Sequence, residues 1–279
     1  MRVEIFNVEL GQCVMIHCPN GQKIMIDAGH NTSQSWYPSV HFSGQHIERL
    51  IVSNFDEDHM SDFVDVLKYC KIRTIYRNAT VDSNRLLAMK TLLGMGPGIK
   101  HVYDWLKMVE GPSRTTILPA DLNGVDLLHF ANPYGVFTDT NNLSFVTFAR
   151  YGGFSILFPG DLEVAGWKEL LKQQGFQDAL RKVNILVASH HGRENGCCEE
   201  AFNFCKPQAV IISDGGKQHA TQETCNWYAN RTTGCKTISN TDRKVLTTRS
   251  DGHITLAVDQ NGTWRIATSG ETKALQVRA

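Results

Sequence analysis

The sequence predicts an α/β fold of four layers, in which two β-sheets pack face to face and helices cover both outer sides. The main observation is a weak internal repeat. A hairpin, MIHCPNGQKIMIDAG, precedes the strand and polar loop RLIVSNFDEDH, and a second hairpin, VTFARYGGFSILFPGDLE, precedes NILVASHHGREN. Strands that read as continuous apolar runs are covered on both faces, so two such halves indicate an αββα sandwich. The polar loops of both halves can then meet at one edge.

Short apolar runs between turn residues predict the strands, and longer periodic stretches predict the helices. In the first part of the chain we expect strands at 3–8, 13–18, 22–27 and 50–53, a helix at 61–69, and helical structure over 80–112 with a break at the Gly-Met-Gly-Pro-Gly segment of 94–98. In the second part we expect two strands near 115–130, a hairpin of 143–151 with 154–158, an amphipathic helix at 164–174, a strand at 183–188, a helix at 199–205, a strand at 209–213 and three or four strands over 236–268. Residues 270–279 lack periodicity, so we expect a loose tail there.

The composition indicates a chain that folds around a large core and has no overall electrostatic preference. Of the 279 residues, 42% are hydrophobic, and 28 Lys and Arg balance 28 Asp and Glu. A net charge of zero gives no global field that attracts a polyanion or a membrane surface, although a local basic patch can still exist. The composition therefore argues neither for nor against nucleic acid as a partner. It also leaves the oligomeric state open.

Three features of the sequence bear on its location. Glu4 and Glu9 interrupt the apolar stretch at the N-terminus, which therefore lacks the uncharged core of a signal peptide. No run reaches the roughly 18 apolar residues that a bilayer-spanning helix needs. The eight Cys form no C-x-x-C pair, and this favours reduced thiols over a disulfide framework or a zinc ribbon. We expect a cytoplasmic protein without a membrane partner.

Clustered acids and histidines follow three of the predicted strands. The segments are SNFDEDHMSD, FPGDLE and ASHHGREN, and they supply the candidate ligands Asp56, Asp58, His59, Asp161, His190 and His191. If the loops converge, their carboxylates repel one another and cost free energy unless a cation neutralises them. Arg193 is the one Lys or Arg within these segments. A divalent metal ion is therefore the simplest counter-charge.

The D-x-D-H spacing of 56–59 predicts that one loop serves two metal positions. In an extended loop alternate residues point to the same side, and the His beside the second Asp points to the other. The mixture of carboxylate and imidazole favours zinc, manganese or iron over calcium. Taken alone, the spacing is more typical of a solvated loop with a helix N-cap at Asp58. The other two segments shift the interpretation to a metal site.

These motifs resemble those of the metallo-β-lactamase-fold hydrolases. SNFDEDH is similar to their H-x-H-x-D-H signature, in the H-x-D-x-D-H form of the soluble hydrolase domain of the competence DNA-uptake protein ComEC. Further segments resemble other blocks of that group in the same order, namely FNVELGQC, PNGQKIMIDAG, NNLSFVTFARYGGFSILFPGDLE, VASHHGREN, VIISDGGKQHATQET and VLTTRSDGHITLAVDQNG. The resemblance covers nearly the whole chain and implies a single metallo-β-lactamase-fold domain over 1–269.

The resemblance implies one or two divalent ions, zinc or manganese, and the residues that hold them. The more complete site would be formed by Asp58, His59, Asp161 and one of the two adjacent histidines. We take His190 as that ligand and His191 as catalytic, and the exchange of these two roles stays open. Asp161 would bridge to a second ion.

The second ion position is the weaker one, because the chain departs from the family pattern there. It would be served by Asp56 and Asn54, and Asn54 stands where the signature has its first histidine. The opening motif departs as well, because Gly11-Gln12 continues into Cys13. An amide oxygen is a weak neutral ligand, so this position is loose, selective for manganese or magnesium, or empty. Asn142 is expected near the middle ligand of the fold.

The mechanism that the resemblance implies is hydrolysis by a metal-bound hydroxide, which attacks phosphorus or a carbonyl carbon. Asp58 would orient the hydroxide, and His191 or His219 would protonate the leaving group. Ser144 and Asp27 are expected to support the site without binding the ion.

We predict a phosphodiesterase or nuclease with DNA or RNA as substrate, because the motifs resemble those of a DNA-uptake protein. Two alternatives stay open, since analogy of fold does not fix the substrate. One is a hydrolase of a small ester, thioester or cyclic nucleotide. The other is a degenerate member that binds a ligand without turnover, to which Asn54 points. The metal content of the purified protein distinguishes the last alternative from the others.

Overall fold

The computed structural model describes residues 1–91, 94–110, 120–216 and 222–272. The strands in these ranges are β1 (Arg2–Ile5), β2 (Val14–His17), β3 (Lys23–Ile26), β4 (His46–Ile51), β5 (Lys71–Tyr76), β6 (Asp126–Ala131), β7 (Phe145–Tyr151), β8 (Phe154–Phe158), β9 (Ile185–Val187), β10 (Ala209–Ile212), β11 (Cys235–Lys236), β12 (Asp242–Arg243), β13 (Val245–Thr247), β14 (Ile254–Val258) and β15 (Trp264–Ala267). The helices are α1 (Pro38–His41), α2 (Glu57–Met60), α3 (Phe63–Tyr69), α4 (Ser83–Lys90), α5 (Pro97–Val109), α6 (Val164–Leu170), α7 (Gln174–Leu180), α8 (Cys225–Ala229) and α9 (Thr248–Asp251).

Thirteen of these strands form two large sheets. The first sheet has the order β15-β14-β1-β2-β3-β4-β5, and the second has the order β13-β10-β9-β8-β7-β6. In the first sheet β2 and β3 are antiparallel and β4 is parallel to β3. In the second sheet β7 and β8 are antiparallel and β9 is parallel to β8. The internal repeat in the sequence is therefore a repeated unit of a hairpin followed by a parallel strand.

Alternate side chains of the central strands enter different layers, because successive residues of a strand point to opposite faces. In β3, Ile24 and Ile26 pack between the two sheets, whereas Met25 packs on the outer side of the first sheet. In β8, Ile156 packs between the sheets and Leu157 on the outer side of the second. Each central strand is thus covered on both faces, as its continuous apolar sequence predicts.

Helices cover the two outer faces. Residues of α3, α4 and α5 share a core with the outer face of the first sheet, and it includes Phe63, Leu86, Val102 and Leu106. Residues of α6, α7 and α8 share a core with the second sheet, and it includes Trp167, Leu170, Phe176 and Tyr228. The predicted four-layer αββα sandwich is confirmed. Within the described ranges no helix combines the length and apolarity that a bilayer crossing requires.

Several element boundaries differ from the sequence prediction. The helix predicted at 164–174 ends at Leu170, because the chain turns where the Gln173 amide bonds to the carbonyl of Leu170, and a second helix, α7, begins at Gln174. The helix predicted at 199–205 is a short 3-10 turn at Glu200–Asn203, and the C-terminal region has five short strands and α9. Apolar periodicity runs through such turns without marking them. Residues 111–119, where one predicted strand begins, and 273–279 of the predicted tail lie outside the described residues.

Candidate metal centre

The loops that carry the predicted ligands leave the two sheets at one edge. Asp27 directly follows β3, and the loop that contains His59 follows β4, the parallel neighbour of β3. Asp161 follows β8, and His191 follows the parallel neighbour β9. Because parallel strands end at the same side of a sheet, each repeated unit contributes two loops to this edge.

Four side chains converge at this edge into what we call the Asp–His cluster: Asp58, His59, Asp161 and His191. One ligand atom from each lies within 4.8 Å of all the others, so the group could hold a metal ion. Nε2 of His59 lies 3.0 Å from Oδ1 of Asp161 and 3.1 Å from Nε2 of His191. Nε2 of His191 lies 3.2 Å from Oδ2 of Asp58. Both histidines and Asp161 are buried, whereas the Asp58 side chain is 34% exposed.

A buried carboxylate orients His59. Nδ1 of His59 lies 2.7 Å from Oδ2 of Asp27, which also accepts a hydrogen bond from Nε2 of Gln12 at 2.9 Å. Oδ1 of Asp27 accepts from the Ser53 amide at 2.7 Å. A carboxylate surrounded by donors fixes the proton of His59 on Nδ1, and the lone pair of Nε2 then points into the cluster.

A backbone carbonyl orients His191 in the same way. Nδ1 of His191 lies 2.8 Å from the carbonyl oxygen of Ser213, which can only accept a hydrogen bond. The proton therefore lies on Nδ1, and Nε2 presents its lone pair to the cluster. Two imidazole lone pairs and two carboxylates facing one another form a donor set of two nitrogens and two oxygens. This set fits a divalent transition metal ion.

The pKa values of His59 and Asp161 are shifted in the directions that favour positive charge on the imidazole and negative charge on the carboxylate. Burial by itself would lower the pKa of His59, but the carboxylates of Asp161 and Asp27 hold it well above its usual range. Burial would raise the pKa of Asp161, but His59 and His191 hold it well below its usual range. Without a metal ion, protons on the histidines compensate the carboxylates. A divalent ion can replace those protons.

The loop that carries Asp58 and His59 is a helical turn, which corrects two sequence-based interpretations. Residues Glu57–Met60 form α2 with Asp56 at its N-cap, so the alternation expected of an extended loop is wrong, and so is an N-cap at Asp58. Successive side chains in a helix turn by about 100°, and Asp58 and His59 still both reach the cluster.

Contacts with neighbouring segments hold α2 in place. Glu57 accepts hydrogen bonds from the amides of Gly98 (2.8 Å) and Ile99 (3.1 Å) in the first turn of α5. A Cβ atom at Gly11 or Gly29 would collide with the carbonyl oxygen of Asp58. Two features of the sequence therefore help to hold α2 in place. They are the segment 94–98, where a helix break is predicted, and the glycines Gly11 and Gly29.

The two adjacent histidines lie in a left-handed turn. His190 and His191 have φ values of 51° and 53°, and Gly192 continues the turn at 72°. Consecutive residues of this kind are rare outside glycine and cost about 1–3 kcal/mol each. The turn directs His191 into the cluster and leaves Nε2 of His190 4.0 Å from Oδ2 of Asp161. The geometry favours the exchange of their expected roles, with His191 as the ligand.

Asn54 and Asp56 lie beside the cluster but outside it. Oδ1 of Asp56 forms an ion pair with Nζ of Lys90, and both its carboxylate oxygens lie 3.0 Å from Oγ1 of Thr140. Nδ2 of Asn54 donates to Oδ2 of Asp56 at 3.2 Å. We call this group, formed by Asn54, Asp56, Lys90 and Thr140, the Asp56 position. Lys90 belongs to none of the motifs in the sequence. Its contact with Asp56 arises from the position of α4 in the fold.

Asn142, which the sequence places where the fold's middle ligand is expected, forms its contacts away from the Asp–His cluster. Oδ1 of Asn142 accepts a hydrogen bond from the amide of Gly166 at 2.8 Å, so this side chain supports α6. Asn141 instead lines the cleft above the cluster. Ser144 accepts a hydrogen bond from the amide of Asp161 at 3.0 Å and thereby positions the loop.

An open cleft of about 560 Å³ lies above the cluster. Its walls include Leu10, His30, Asp58, His190 and Arg193. Nε of Arg193 and Nδ1 of His190 are buried and lack a hydrogen-bond partner among the described residues. The predicted catalytic residue His219 lies outside the described residues.

Comparison with known proteins finds a relative in sequence and a neighbour among the solved structures. No family model matches the sequence. In an alignment of 235 residues that covers 76% of this chain, the sequence is 25% identical to ComE operon protein 3 of Bacillus subtilis (strain 168). The match spans 28% of that protein, so the chain corresponds to about a quarter of its relative. A solved structure described as a new diphosphatase from the PhnP family has a TM-score of 0.44 and 13% identity, covering 83% of this chain and 93% of that one. The chain is thus related in sequence to one part of ComE operon protein 3, and its own strands form the two sheets described above.

Proposed function

We propose that this protein is a metal-dependent hydrolase of phosphodiesters and acts on nucleic acid. The observation that carries the proposal is the pair of imidazole Nε2 atoms, 3.1 Å apart, that face two carboxylates at the floor of an open cleft. Both Nδ1 atoms are committed to hydrogen bonds on the far sides of the rings. Such an arrangement is prepared for a cation. When bound, a divalent ion lowers the pKa of a water molecule and stabilises negative charge on a reacting phosphoryl or carbonyl oxygen.

The residues at the cleft divide the remaining tasks. Asp58 is the most exposed member of the cluster, and its carboxylate orients a water molecule that enters from the cleft. His190 can accept a proton in the cleft, because burial lowers its pKa and the imidazole is therefore neutral near pH 7. Arg193 contacts an anionic group of the substrate, since a guanidinium matches the geometry of phosphate oxygens.

The choice of phosphodiesters over other substrates has two supports. Arg193 lines the cleft, and its guanidinium can pair with the anionic oxygens of a phosphodiester, which a neutral ester does not have. The motifs of the chain also resemble those of a hydrolase domain from a DNA-uptake protein.

The test is cleavage of a chromogenic phosphodiester and of single-stranded DNA with manganese or zinc supplied. We expect wild-type protein to cleave at least one of them and Asp58→Ala to reduce cleavage to background. Asp104→Ala, which removes an exposed carboxylate of α5, is the matched control and should keep full activity. Circular dichroism must show that Asp58→Ala is folded, because changes among buried charges can unfold a protein.

A folded, metal-loaded wild-type protein that cleaves neither DNA, RNA nor a reporter diester above the Asp58→Ala level would overturn the proposal. A hydrolase of small esters or cyclic nucleotides would then take its place if such substrates are turned over. If they are not, the non-catalytic binding alternative would stand.

A further inference from the structure

The Asp56 position is where the sequence led us to expect a second metal ion, and a lysine lies there. Nζ of Lys90, in the last turn of α4, forms an ion pair with Oδ1 of Asp56. The Lys90 side chain is only 13% exposed. This cation is therefore a built part of the site and not a surface charge that swings in from solvent.

The other contacts of Asp56 are hydrogen bonds from groups of the chain itself. Oγ1 of Thr140 lies 3.0 Å from both carboxylate oxygens. Nδ2 of Asn54 donates to Oδ2 at 3.2 Å, and the amide oxygen of Asn54 accepts the Phe55 N–H at 2.5 Å. Asn54 thus turns its NH₂ group, which cannot bind a metal, toward Asp56.

The Asp–His cluster and the Asp56 position therefore satisfy their carboxylates by different means. In the cluster, two imidazole nitrogens and two carboxylates face one another with no Lys or Arg among them, so the group could hold a metal ion. At the Asp56 position, the chain supplies a permanent ammonium, a hydroxyl and an amide. A second divalent ion beside Lys90 would meet like-charge repulsion at short range, where the protein interior screens poorly.

We infer that this chain binds one divalent ion, at the Asp–His cluster, and that the Lys90 ammonium replaces the charge of a second ion. The inference rests on the proposed metal-dependent function, and of the outcomes expected for the second ion position it favours an empty one. A histidine in place of Asn54 is not sufficient to create a second metal position while Lys90 remains.

The test measures metal stoichiometry and does not depend on turnover. Purified wild-type protein is stripped with chelator, saturated with manganese or zinc, passed through a desalting column and analysed by mass spectrometry for metal per chain. We expect one ion for wild type, for Asn54→His and for Lys90→Arg, which keeps the charge. We expect two ions for the double variant Asn54→His with Lys90→Met. Asn54→His with Lys100→Met, which removes an exposed lysine of α5, is the matched control and should bind one.

Three outcomes would overturn the inference: two ions in the wild type, two ions in Asn54→His alone, or one ion in the folded double variant. If Lys90→Met does not fold, Lys90→Gln takes its place in the double variant. A wild type that binds one ion and cleaves no diester would leave this inference standing and remove the proposed function. A wild type that binds no ion would remove both.

Discussion

His59 and His191 occupy corresponding places in the two repeated units, yet the protein holds them in different ways. Each follows the parallel strand of its unit and presents Nε2 to the same cluster. His59 lies on a right-handed helical turn and is oriented by the Asp27 carboxylate. His191 lies in a left-handed turn and is oriented by the carbonyl of Ser213.

The difference shows two ways of fixing the same ligand atom. A carboxylate makes the imidazole more basic and is a side chain that mutation can remove. A backbone carbonyl cannot be removed, so the second unit depends on the conformation of its turn. We therefore expect the first unit to be sensitive to changes of charge and the second to changes of backbone geometry.

The largest expected effect is the loss of either imidazole. His59→Asn and His191→Asn should each lose tightly held metal and reduce diester cleavage to background, because the ion then loses one of four ligands. Metal content after desalting and the rate of reporter cleavage measure this. His190→Asn is the comparison variant and should retain the metal. Metal retention by His191→Asn together with its loss from His190→Asn would reverse the assignment of the two adjacent histidines.

The second prediction tests the role of charge in the first unit. Asp27→Asn should weaken metal affinity about 10–100-fold, as removal of a group that orients a ligand does. Asparagine tolerates the left-handed backbone of residue 27, where φ is 60°, so the fold should persist. Competition with a fluorescent chelator gives the affinity. Unchanged affinity in folded Asp27→Asn would show that the carboxylate does not tune His59.

The third prediction tests backbone geometry in the second unit. Gly192→Ala should destabilise the protein by about 1–3 kcal/mol, because alanine is strained at a positive φ, and its Cβ would press against Ile212. Gly44→Ala isolates the strain, since Gly44 has a φ of 74° and open space around it. Urea unfolding of the two variants provides the comparison. Equal losses of stability would mean that the Ile212 contact is easily relieved.

The smallest expected effect is a dependence of stability on pH in the metal-free protein. The raised pKa of His59 contributes stability that is present below its ordinary pKa of 6.5 and is lost as the pH rises through the raised value. The lowered pKa values of Asp58 and Asp161 contribute stability above 3.8 that is lost as the pH falls through them. The contribution of these three side chains to the melting temperature with chelator should therefore be largest between about pH 4 and pH 6.5.

Above that range the melting temperature of the metal-free protein should fall by a few degrees, because 1 kcal/mol corresponds to roughly 2–4 °C in a domain of comparable size. Added metal should remove this alkaline decline, since the ion replaces the proton on His59. Thermal melts from pH 4 to 9 with and without manganese measure both effects. A decline that persists unchanged with bound metal would mean that other groups cause it.

The fold could be predicted because it follows from patterns that are local in the sequence. A continuous run of apolar residues predicts that both faces of a strand are buried, as they are for Ile24, Met25 and Ile26. The repeat of hairpin and strand predicts the two sheets. The positions of Asp58, His59 and Asp161 follow from the loops at strand ends. Their roles stay predictions until metal binding is measured.

The remaining features depend on contacts that no local pattern reports. Lys90 reaches Asp56 across 34 residues because α4 packs over the loop. Which of His190 and His191 faces the cluster depends on a left-handed turn, because this turn changes the direction that a strand-like backbone would give each side chain. The sequence shows a glycine after these histidines, and it does not show which imidazole turns inward.

Gly11 and Gly29 have a consequence for how variation in this chain should be interpreted. Both pack against the carbonyl oxygen of Asp58, and neither contributes an atom to the Asp–His cluster. In a scan of all single substitutions, we expect both positions to be about as intolerant as His59. Sensitivity to mutation would then mark the residues that shape the loop of Asp58 as well as the residues that bind the ion. A separate measurement of bound metal would be needed to distinguish these two groups.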